Sequence, residues 1–283
     1  MQFTANPPMP APRPPASEVL AGNRAAGRIA LSVKAEAGMS RRGRVHEAGM
    51  LRVRFPRAET GGVLDAVIIN TAGGMTGGDR ASIDINVEAG AAATVTTAAA
   101  EKIYRSLGPD AEIAVRLNVG RGGMLAWLPQ ETILFDRVRL RRTIDVVLKR
   151  DARLLLAETV VFGRAAMGET PRAGHFFDRW RVRADGALLF AETVRLEGAI
   201  SDKLAERAIG GGASALGCLI AIPGNDETVA AIRARTFVGD VGVSAWNGLA
   251  VVRLLATNGA ALRRDLIGVG KALGAPLPRL WLN

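Results

Sequence analysis

Apolar and polar positions alternate with a period of two through most of the central part of this chain. Two stretches show the pattern clearly, Ala81–Glu88 and Glu112–Val119. Their apolar positions are Ile83, Ile85, Val87, Ile113, Val115, Leu117 and Val119. Successive side chains of a β-strand point to opposite faces of a sheet, so this pattern predicts half-buried strands, which we expect to pair antiparallel.

Glycine-rich turn signals separate these strands at short intervals, as expected for an all-β body. The turn at Asn247-Gly248 is the strongest of them and predicts a hairpin. The segment LLLAETV at 154–160 returns as LLFAETV at 188–194. Two copies do not define a repeat architecture, but they suggest equivalent strands in one sheet system.

Helical signals are few and lie near the C-terminus. Asn225 or Asp226 provides an N-cap for an alanine-rich helix, and Glu227 favours its first turn. A second helix is predicted after Asn258, with Gly274 as its stop. The final segment, 276–283, is expected to be a packed tail anchored by Trp281.

Together these signals predict a mostly β protein: a single domain of stacked mixed or antiparallel sheets with a few short helices, mainly C-terminal. Residues 1–20 carry six prolines among the first fifteen positions and are expected to form a disordered tail. The domain is then expected to span residues 21–283. With 48% hydrophobic residues, it can bury a substantial core.

Composition adds expectations about compartment and partners. The single cysteine, Cys218, lies in an apolar run and is expected to be a small buried hydrophobe rather than a reactive thiol. No secretory signal or membrane span is visible, so a cytoplasmic location is expected. The net charge of +10, from 37 basic and 27 acidic residues, suggests an acidic partner.

The loop Asn70–Arg80 concentrates four glycines and an aspartate. A nucleotide-binding loop requires a lysine or a helix N-terminus at this point, whereas Gly78 is followed by Asp79 and then by a strand pattern. The loop is therefore interpreted as a tight turn whose glycines accept positive φ angles. Asp79 is expected to cap loop amides, with a partner-facing or ion-facing carboxylate as the alternative.

The chain shows no pattern of catalytic or metal-binding residues. Its two histidines, His46 and His175, lack a second ligand at metal-binding spacing and are expected to be surface or hydrogen-bonded residues. No catalytic triad has a recognisable context, so no catalytic residue and no tightly bound cofactor are expected. Five carboxylates could bind hard cations weakly but are interpreted as strand-face charges: Glu131, Asp136, Glu158, Glu169 and Glu192.

The basic run 136–153 leaves a second class of function open. At strand spacing Arg137, Arg139 and Arg141 share one face, and Arg142 falls on the other face with apolar neighbours. Such a face could bind nucleic acid or another anionic surface, although the aromatic residues that stack on bases are missing. An uncharacterised hydrolase is a third class, but the sequence displays no site for it.

Four segments, in order, resemble the urease accessory protein UreD family, called UreH in some systems. They are 70–80 (NTAGGMTGGDR), 96–106 (TTAAAEKIYRS), 125–137 (LAWLPQETILFDR) and 162–169 (FGRAAMGE). A weaker similarity extends to the C-terminus. The chain departs from the family at Thr71 and Ala72, where two prolines are usual, which makes the turn less rigid.

This resemblance implies a non-enzymatic scaffold for nickel-urease maturation. Members of the family bind apo-urease and the accessory protein UreF, which recruits the GTPase UreG. They are described as mostly β proteins with an internal water-filled passage through which nickel travels. The resemblance therefore implies that any metal is nickel in transit and that the basic surface meets acidic partner proteins.

The resemblance also selects site residues. The acidic residues within the matched segments are implied to form a nickel route: Asp79, Glu101 and Glu169. Residues implied to shape the site or to contact partners are Gly73, Gly74, Gly77, Gly78, Lys102, Tyr104, Arg105 and Arg164. A purely structural role is the alternative for each of them.

Overall fold

The fold is known from a computed structural model, which describes residues 24–56, 62–164, 168–275 and 277–282. The tail predicted for residues 1–20 lies outside this part of the chain. In the described part seventeen strands occur: β1 Ala26–Glu36, β2 Met39–Gly49, β3 Leu51–Arg54, β4 Leu64–Asn70, β5 Arg80–Val87, β6 Ala92–Thr97, β7 Glu101–Ile103, β8 Ala111–Val119, β9 Met124–Trp127, β10 Thr132–Leu134, β11 Val138–Leu148, β12 Arg153–Phe162, β13 Gly174–Ala184, β14 Ala187–Gly198, β15 Ala215–Ile222, β16 Asp240–Trp246 and β17 Leu249–Ala256.

The strands form two sheets, and the prediction of a mostly β protein with mixed sheets is confirmed. The seven-stranded sheet has the order β14-β13-β11-β8-β5-β1-β2. The ten-stranded sheet has the order β16-β17-β15-β12-β9-β6-β4-β3, with β7 and β10 attached beside β12. Inward-facing side chains of both sheets form one shared hydrophobic core. The alternation in β5 and β8 matches the predicted half-buried strands.

The predicted antiparallel pairing of β5 and β8 was wrong. These two strands pair parallel with each other, β5 also pairs parallel with β1, and β8 with β11. The chain alternates between sheets, from β5 to β6, then to β8, β9, β11, β12 and β13. Because each strand in one sheet is reached by a return through the other sheet, it arrives in the same direction as its predecessor.

The two LLxAETV segments do not occupy equivalent positions. The first belongs to β12, a central strand of the ten-stranded sheet, whereas the second belongs to β14, an edge strand of the seven-stranded sheet. Their burial differs accordingly, since β12 is mostly buried and β14 is mostly exposed or half-buried. The interpretation of these segments as equivalent strands in one sheet system was therefore wrong.

Three helices are described: α1 Ile200–Ala205, α2 Asp226–Arg233 and α3 Gly259–Ala272. Both predicted helices have the expected caps, because Asn225 accepts a bond from Thr228 N and Asn258 from Ala261 N. Helix α1 was not predicted, and its N-terminus has no side-chain cap that would reveal it in the sequence.

The C-terminal region packs onto the outer face of the ten-stranded sheet and builds a second apolar cluster there. Gly274 follows α3 with a φ of 61°, as expected for a helix stop. The Trp281 side chain is buried, and its indole N–H donates to the Leu128 carbonyl at 3.0 Å, so the predicted anchoring is confirmed. No helix among the described residues is long and apolar enough to span a membrane.

Candidate functional site

The glycine-rich loop carries the chain from β4 to β5, and so from one sheet to the other. It lies against the segment that follows β7, where Met75 N donates to Lys102 O and Tyr104 N donates to Met75 O, both at 2.8 Å. A Cβ atom on Gly74 would lie 2.4 Å from the Tyr104 ring. The loop is therefore packed too closely against the Lys102–Tyr104 backbone to accept a side chain at this position.

The predicted positive φ angles hold for three of the four loop glycines: Gly73, Gly74 and Gly78. Gly77 is required for a different reason, since a Cβ atom there would lie 1.8 Å from Ser106 Oγ and 2.3 Å from Pro109 O. The four glycines thus serve both backbone geometry and close packing.

Asp79 caps backbone amides, as predicted. Its carboxylate is buried and accepts bonds from Ala25 N and Thr76 N, each at 2.8 Å. It therefore closes the loop and joins it to the chain just before β1. Asp79 is absent from the lining of the large cavity described below. Its assignment to a nickel route stays a prediction.

A series of aromatic and ionic side-chain contacts connects the loop to more distant residues of the matched segments. The Tyr104 hydroxyl donates to Gly73 O at 3.1 Å, and the Tyr104 ring meets Phe135 edge to face at a centroid distance of 5.0 Å. The Arg164 guanidinium lies over the Phe135 ring, 4.3 Å from its centroid, and forms an ion pair with Glu169. No pattern in the sequence indicates this connection directly.

The other two predicted contact residues, Lys102 and Arg105, lie on either side of Tyr104 in these contacts. Lys102 is exposed and lies beside the loop, and the Arg105 carbonyl accepts a bond from Thr76 Oγ1 at 3.0 Å. The structure thus brings together the residues implied by the resemblance. Their contacts with partner proteins stay predictions.

A cavity of about 330 Å³ opens beside the glycine loop and runs between the two sheets. Exposed or half-buried residues mark its mouth: Asn70, Gly73, Ala98, Ala99, Glu101 and Lys102. Its interior is mainly apolar and is lined from both sheets, by Ile83 and Val115 on one side and by Ile68 and Trp127 on the other. Buried polar side chains lie at its inner end: Thr132, Arg142 and Glu158.

Glu101 is the carboxylate at the mouth of this cavity. Asn70 Nδ2 donates to both of its oxygens, at 3.0 and 3.1 Å, while Asn70 Oδ1 accepts from Ala72 N. Burial raises the pKa of Glu101 from its ordinary value of 4.5 to about 7, against the opposing effect of the Asn70 hydrogen bond. The carboxylate is therefore poised to gain or lose a proton near neutral pH.

A buried ionic cluster forms the inner end of the cavity. Arg142 binds Asp178 through two bonds, Nε to Oδ1 at 3.0 Å and Nη2 to Oδ2 at 2.6 Å, and its Nη1 contacts Glu158. Trp127 Nε1 donates to the other Glu158 oxygen at 2.9 Å. Burial raises the pKa of Glu158, although the charge of Arg142 opposes this shift. The cluster links strands of both sheets across the core.

Glu158 was wrongly interpreted as a strand-face charge, since it points into the core and is only 5% exposed. The other four carboxylates of that group lie nearer the surface, and each forms an ion pair with an arginine: Glu131 with Arg263, Asp136 with Arg172, Glu169 with Arg164 and Glu192 with Arg253. The signal for Glu158 was present, because it follows Leu154 and Leu156 in the apolar phase of β12.

The histidines have the expected surroundings. His46 is exposed, and His175 has Asp110 Oδ1 at 3.2 Å from Nδ1 and Glu197 Oε1 at 3.2 Å from Nε2. Across the described ranges, no three His, Cys, Asp or Glu side chains are grouped to hold a metal ion. Cys218 is buried in the core, and burial raises the pKa of its thiol, so the prediction of a buried small hydrophobe is confirmed.

The outward side of the seven-stranded sheet carries the basic run and extends it. Arg139 and Arg141 point outward from β11 and Arg142 points inward, as the alternation predicted. We call the outward side the arginine face. Nine arginines on β1, β5, β8, β11, β13 and β14 belong to it: Arg28, Arg80, Arg116, Arg139, Arg141, Arg179, Arg181, Arg183 and Arg195. Five carboxylates pair with these arginines: Asp84, Asp110, Glu112, Asp145 and Glu197.

The chain is similar to a known protein family over nearly all of its length. A family model described as "UreD urease accessory protein" matches residues 25–282. A protein named urease accessory protein UreD from Rhodopseudomonas palustris strain CGA009 is 54% identical over 270 residues, which cover 94% of this chain and 96% of the relative.

Two further relatives come from Bradyrhizobium. The protein named urease accessory protein UreD from Bradyrhizobium diazoefficiens is 51% identical and covers 94% of this chain and 97% of its own length. The protein named urease accessory protein UreD 3 from Bradyrhizobium sp. strain BTAi1 is 50% identical, with 96% and 99% covered. Similarity at this level over nearly the full length of each protein extends well beyond the four matched segments.

Proposed function

Because this chain belongs to the UreD urease accessory protein family, we propose that it supports urease maturation as a non-enzymatic scaffold. In this role it binds apo-urease and UreF, and through UreF it engages UreG. Nickel is the cargo of this assembly, and the cavity between the two sheets is part of the path by which nickel reaches urease.

The observation that supports the nickel path is the position of Glu101. Its carboxylate lies at the mouth of a cavity that penetrates the space between the sheets, and Asn70 holds both oxygens in place. Carboxylate oxygen is an acceptable ligand for a divalent metal ion, and a single such ligand holds the ion weakly enough to release it. A scaffold that transfers nickel requires this combination of capture and release.

The pKa of Glu101 gives the path a pH dependence. A protonated carboxyl group does not hold a cation well, so metal binding competes with protonation. Since burial raises the Glu101 pKa to about 7, nickel entry should become less effective as the pH falls below 7. Three other residues of the mouth, Gly73, Ala98 and Ala99, have small side chains that leave room for a hydrated ion.

The two remaining carboxylates implied by the resemblance are proposed to stabilise the site. Asp79 holds the loop through two backbone amides, and Glu169 fixes Arg164 over Phe135. Both therefore maintain the shape of the mouth. If substitution of Asp79 or Glu169 reduces urease activation, the cause would be a loss of local structure. Substitution of Glu101 should instead leave the structure intact.

The central experiment is urease activity in cells that contain the urease subunits, the other accessory proteins and limiting nickel. Activity should depend on this chain, and Glu101→Gln should reduce it several-fold while the complex with urease still assembles. Glu206→Gln, which removes an exposed carboxylate away from the cavity, is the matched control. Activity that does not depend on this chain would contradict the role in maturation, and normal activity of Glu101→Gln would contradict the role of the cavity.

A further inference from the structure

The arginine face has the properties of a docking surface. It is the outward side of an extended seven-stranded sheet, and the side chains of its ion-paired arginines are between 40% and 70% exposed. Strand register determines which charged side chains are neighbours across the sheet. Asp145 of β11, for example, lies between Arg116 of β8 and Arg181 of β13. Side chains on paired strands are held at regular spacing, so this face is a preorganised array of charges.

The carboxylates on this face are already occupied within it. Asp84 pairs with Arg116 and lies 3.5 Å from Arg28, and Asp110 lies 2.9 Å from Arg139 and 3.8 Å from Arg141.

The other three carboxylates each pair with one arginine, Glu112 with Arg80, Asp145 with Arg179 and Glu197 with Arg195. These nine arginines meet these five carboxylates, which leaves an excess of four positive charges among the side chains named.

The excess charge is concentrated on particular residues. Among the described residues Arg183 forms no ion pair, and Arg181 donates only to the backbone carbonyls of Trp180 and Glu192. Arg28 shares Asp84 with Arg116. In the same way, Arg141 shares Asp110 with Arg139. Arginine presents a planar fork of donors that matches a carboxylate in two-bond geometry, and it is enriched at protein interfaces.

We propose that the arginine face is a docking site for a carboxylate-rich protein surface of the urease assembly. The proposal rests on the proposed function only for the identity of the partner. It assigns an otherwise unassigned face of the molecule, on the opposite side of the seven-stranded sheet from the cavity. The contacts would be formed chiefly by Arg28, Arg141, Arg181 and Arg183, whose charges are not balanced within the face.

Two observations favour a protein over a nucleic acid. The interspersed carboxylates would repel a continuous row of phosphates, whereas a protein surface can place cations opposite them. Phe177 is the aromatic residue at the centre of the face, and the Arg141 guanidinium lies over its ring at 4.5 Å from the centroid. The ring is therefore not open for base stacking, which single-strand binding requires.

The test uses the full chain with Arg181→Glu and Arg183→Glu combined, since both side chains point outward from β13. The matched control combines Arg235→Glu and Arg264→Glu, which change the net charge equally at exposed positions on the helical side. Binding of each variant to purified apo-urease and to purified UreF is measured at low and high salt, and a DNA oligonucleotide is the third probe. Far-ultraviolet circular dichroism and thermal melting verify that both variants fold.

The proposal expects the β13 variant to bind apo-urease or UreF at least about tenfold more weakly at low salt, with a reduced salt dependence. The control variant should bind as the unmodified chain does. Unchanged binding of the β13 variant to both proteins would overturn the proposal, as would a loss of DNA binding alone. If the unmodified chain activates urease but neither variant differs, the arginine face is excluded while the proposed function stands. If the unmodified chain binds neither protein and fails to activate urease, both are contradicted.

Discussion

At the scale of single residues, Glu101 is a side chain whose pKa is raised by its surroundings into the neutral range. Burial at the cavity mouth disfavours its charged form, and Asn70 keeps both oxygens in a fixed orientation. A carboxylate that is ready to bind a cation is therefore maintained at a cost in folding free energy above neutral pH.

The first prediction concerns Glu101→Gln and pH. The folded state holds the Glu101 proton more tightly than the unfolded chain, because the pKa rises from 4.5 to about 7. This group therefore makes the folded state progressively less stable as the pH rises from 4.5 to 7, and the full cost is present above 7. Glutamine has no such cost, so the variant should gain stability relative to the unmodified chain from pH 5 to pH 8, by on the order of 1–3 kcal/mol.

Urea denaturation at pH 5, 6, 7 and 8 would measure this difference. Glu206→Gln serves as the control, because it makes the same substitution at an exposed carboxylate away from the cavity. A constant stability difference for Glu101→Gln over this range would show that Glu101 titrates normally.

A second prediction at this scale concerns the buried cluster. Arg142→Ala leaves Asp178 and Glu158 in the core without their cation, and removing one partner of a buried ion pair typically costs about 3–5 kcal/mol. Arg141→Ala, at the next position on the outward face, should cost less than about 1 kcal/mol. The free energies of unfolding of the two variants, compared at one pH, would show whether the cluster carries this stability.

The buried cluster also shows how far single residues could be predicted. Arg142, Glu158 and Asp178 all occupy the apolar phase of their strands, so their burial was readable from the alternation. Their mutual contact was not, because it depends on which strands of the two sheets face each other. The function of Asp79 as a cap could be predicted from its loop, whereas the environment of Glu101 depends on a cavity formed by strands distant in sequence.

At the scale of elements, the glycine-rich loop is the part whose structure is most constrained. It has to cross between the sheets while lying against Tyr104, and only one of its glycines is directly blocked by that ring. Gly73 has a positive φ but open space around its would-be Cβ, whereas Gly74 has both a positive φ and a close contact.

The third prediction uses this difference. Gly74→Ala should displace Tyr104 and the Lys102 backbone, so it should reduce urease activation strongly. Gly73→Ala should cost only about 1 kcal/mol of stability, because the cost arises from the φ angle alone. Urease activation and thermal melting of the two variants test the prediction. Equal losses in both variants would mean that the contact with Tyr104 has no special importance.

Elements marked by a cap or a turn signal in neighbouring residues were predicted correctly, whereas strand direction, which depends on distant pairing, was not. The Asn247-Gly248 turn joins β16 and β17 with both residues at positive φ, and the caps of α2 and α3 are in place. Strand direction was missed, because a period-two pattern is the same for parallel and antiparallel neighbours when one face is solvated. The return of the chain through the second sheet determines that direction.

At the scale of the whole molecule, this return of the chain explains the cavity. Strands of the two sheets face each other across the core, and the loops between them cross at the ends of the sheets. Where the glycine loop and the Thr97–Glu101 segment carry small side chains, the space between the sheets stays open at one end. The arginine face lies on the outer side of one sheet, so transport and docking are proposed for two different sides of that sheet.

The last prediction tests the cavity as a path without changing any charge. Ala98 is half-buried and lines the mouth, so Ala98→Phe would place a ring in the opening. We expect this variant to fold, to bind apo-urease and UreF normally, and to activate urease several-fold less at limiting nickel. Ala98→Ser, which adds one small group, should behave as the unmodified chain does. If Ala98→Phe assembles the complex and also activates urease fully, nickel reaches urease by a route that avoids this cavity, and the scaffold role alone would account for the family's part in urease maturation.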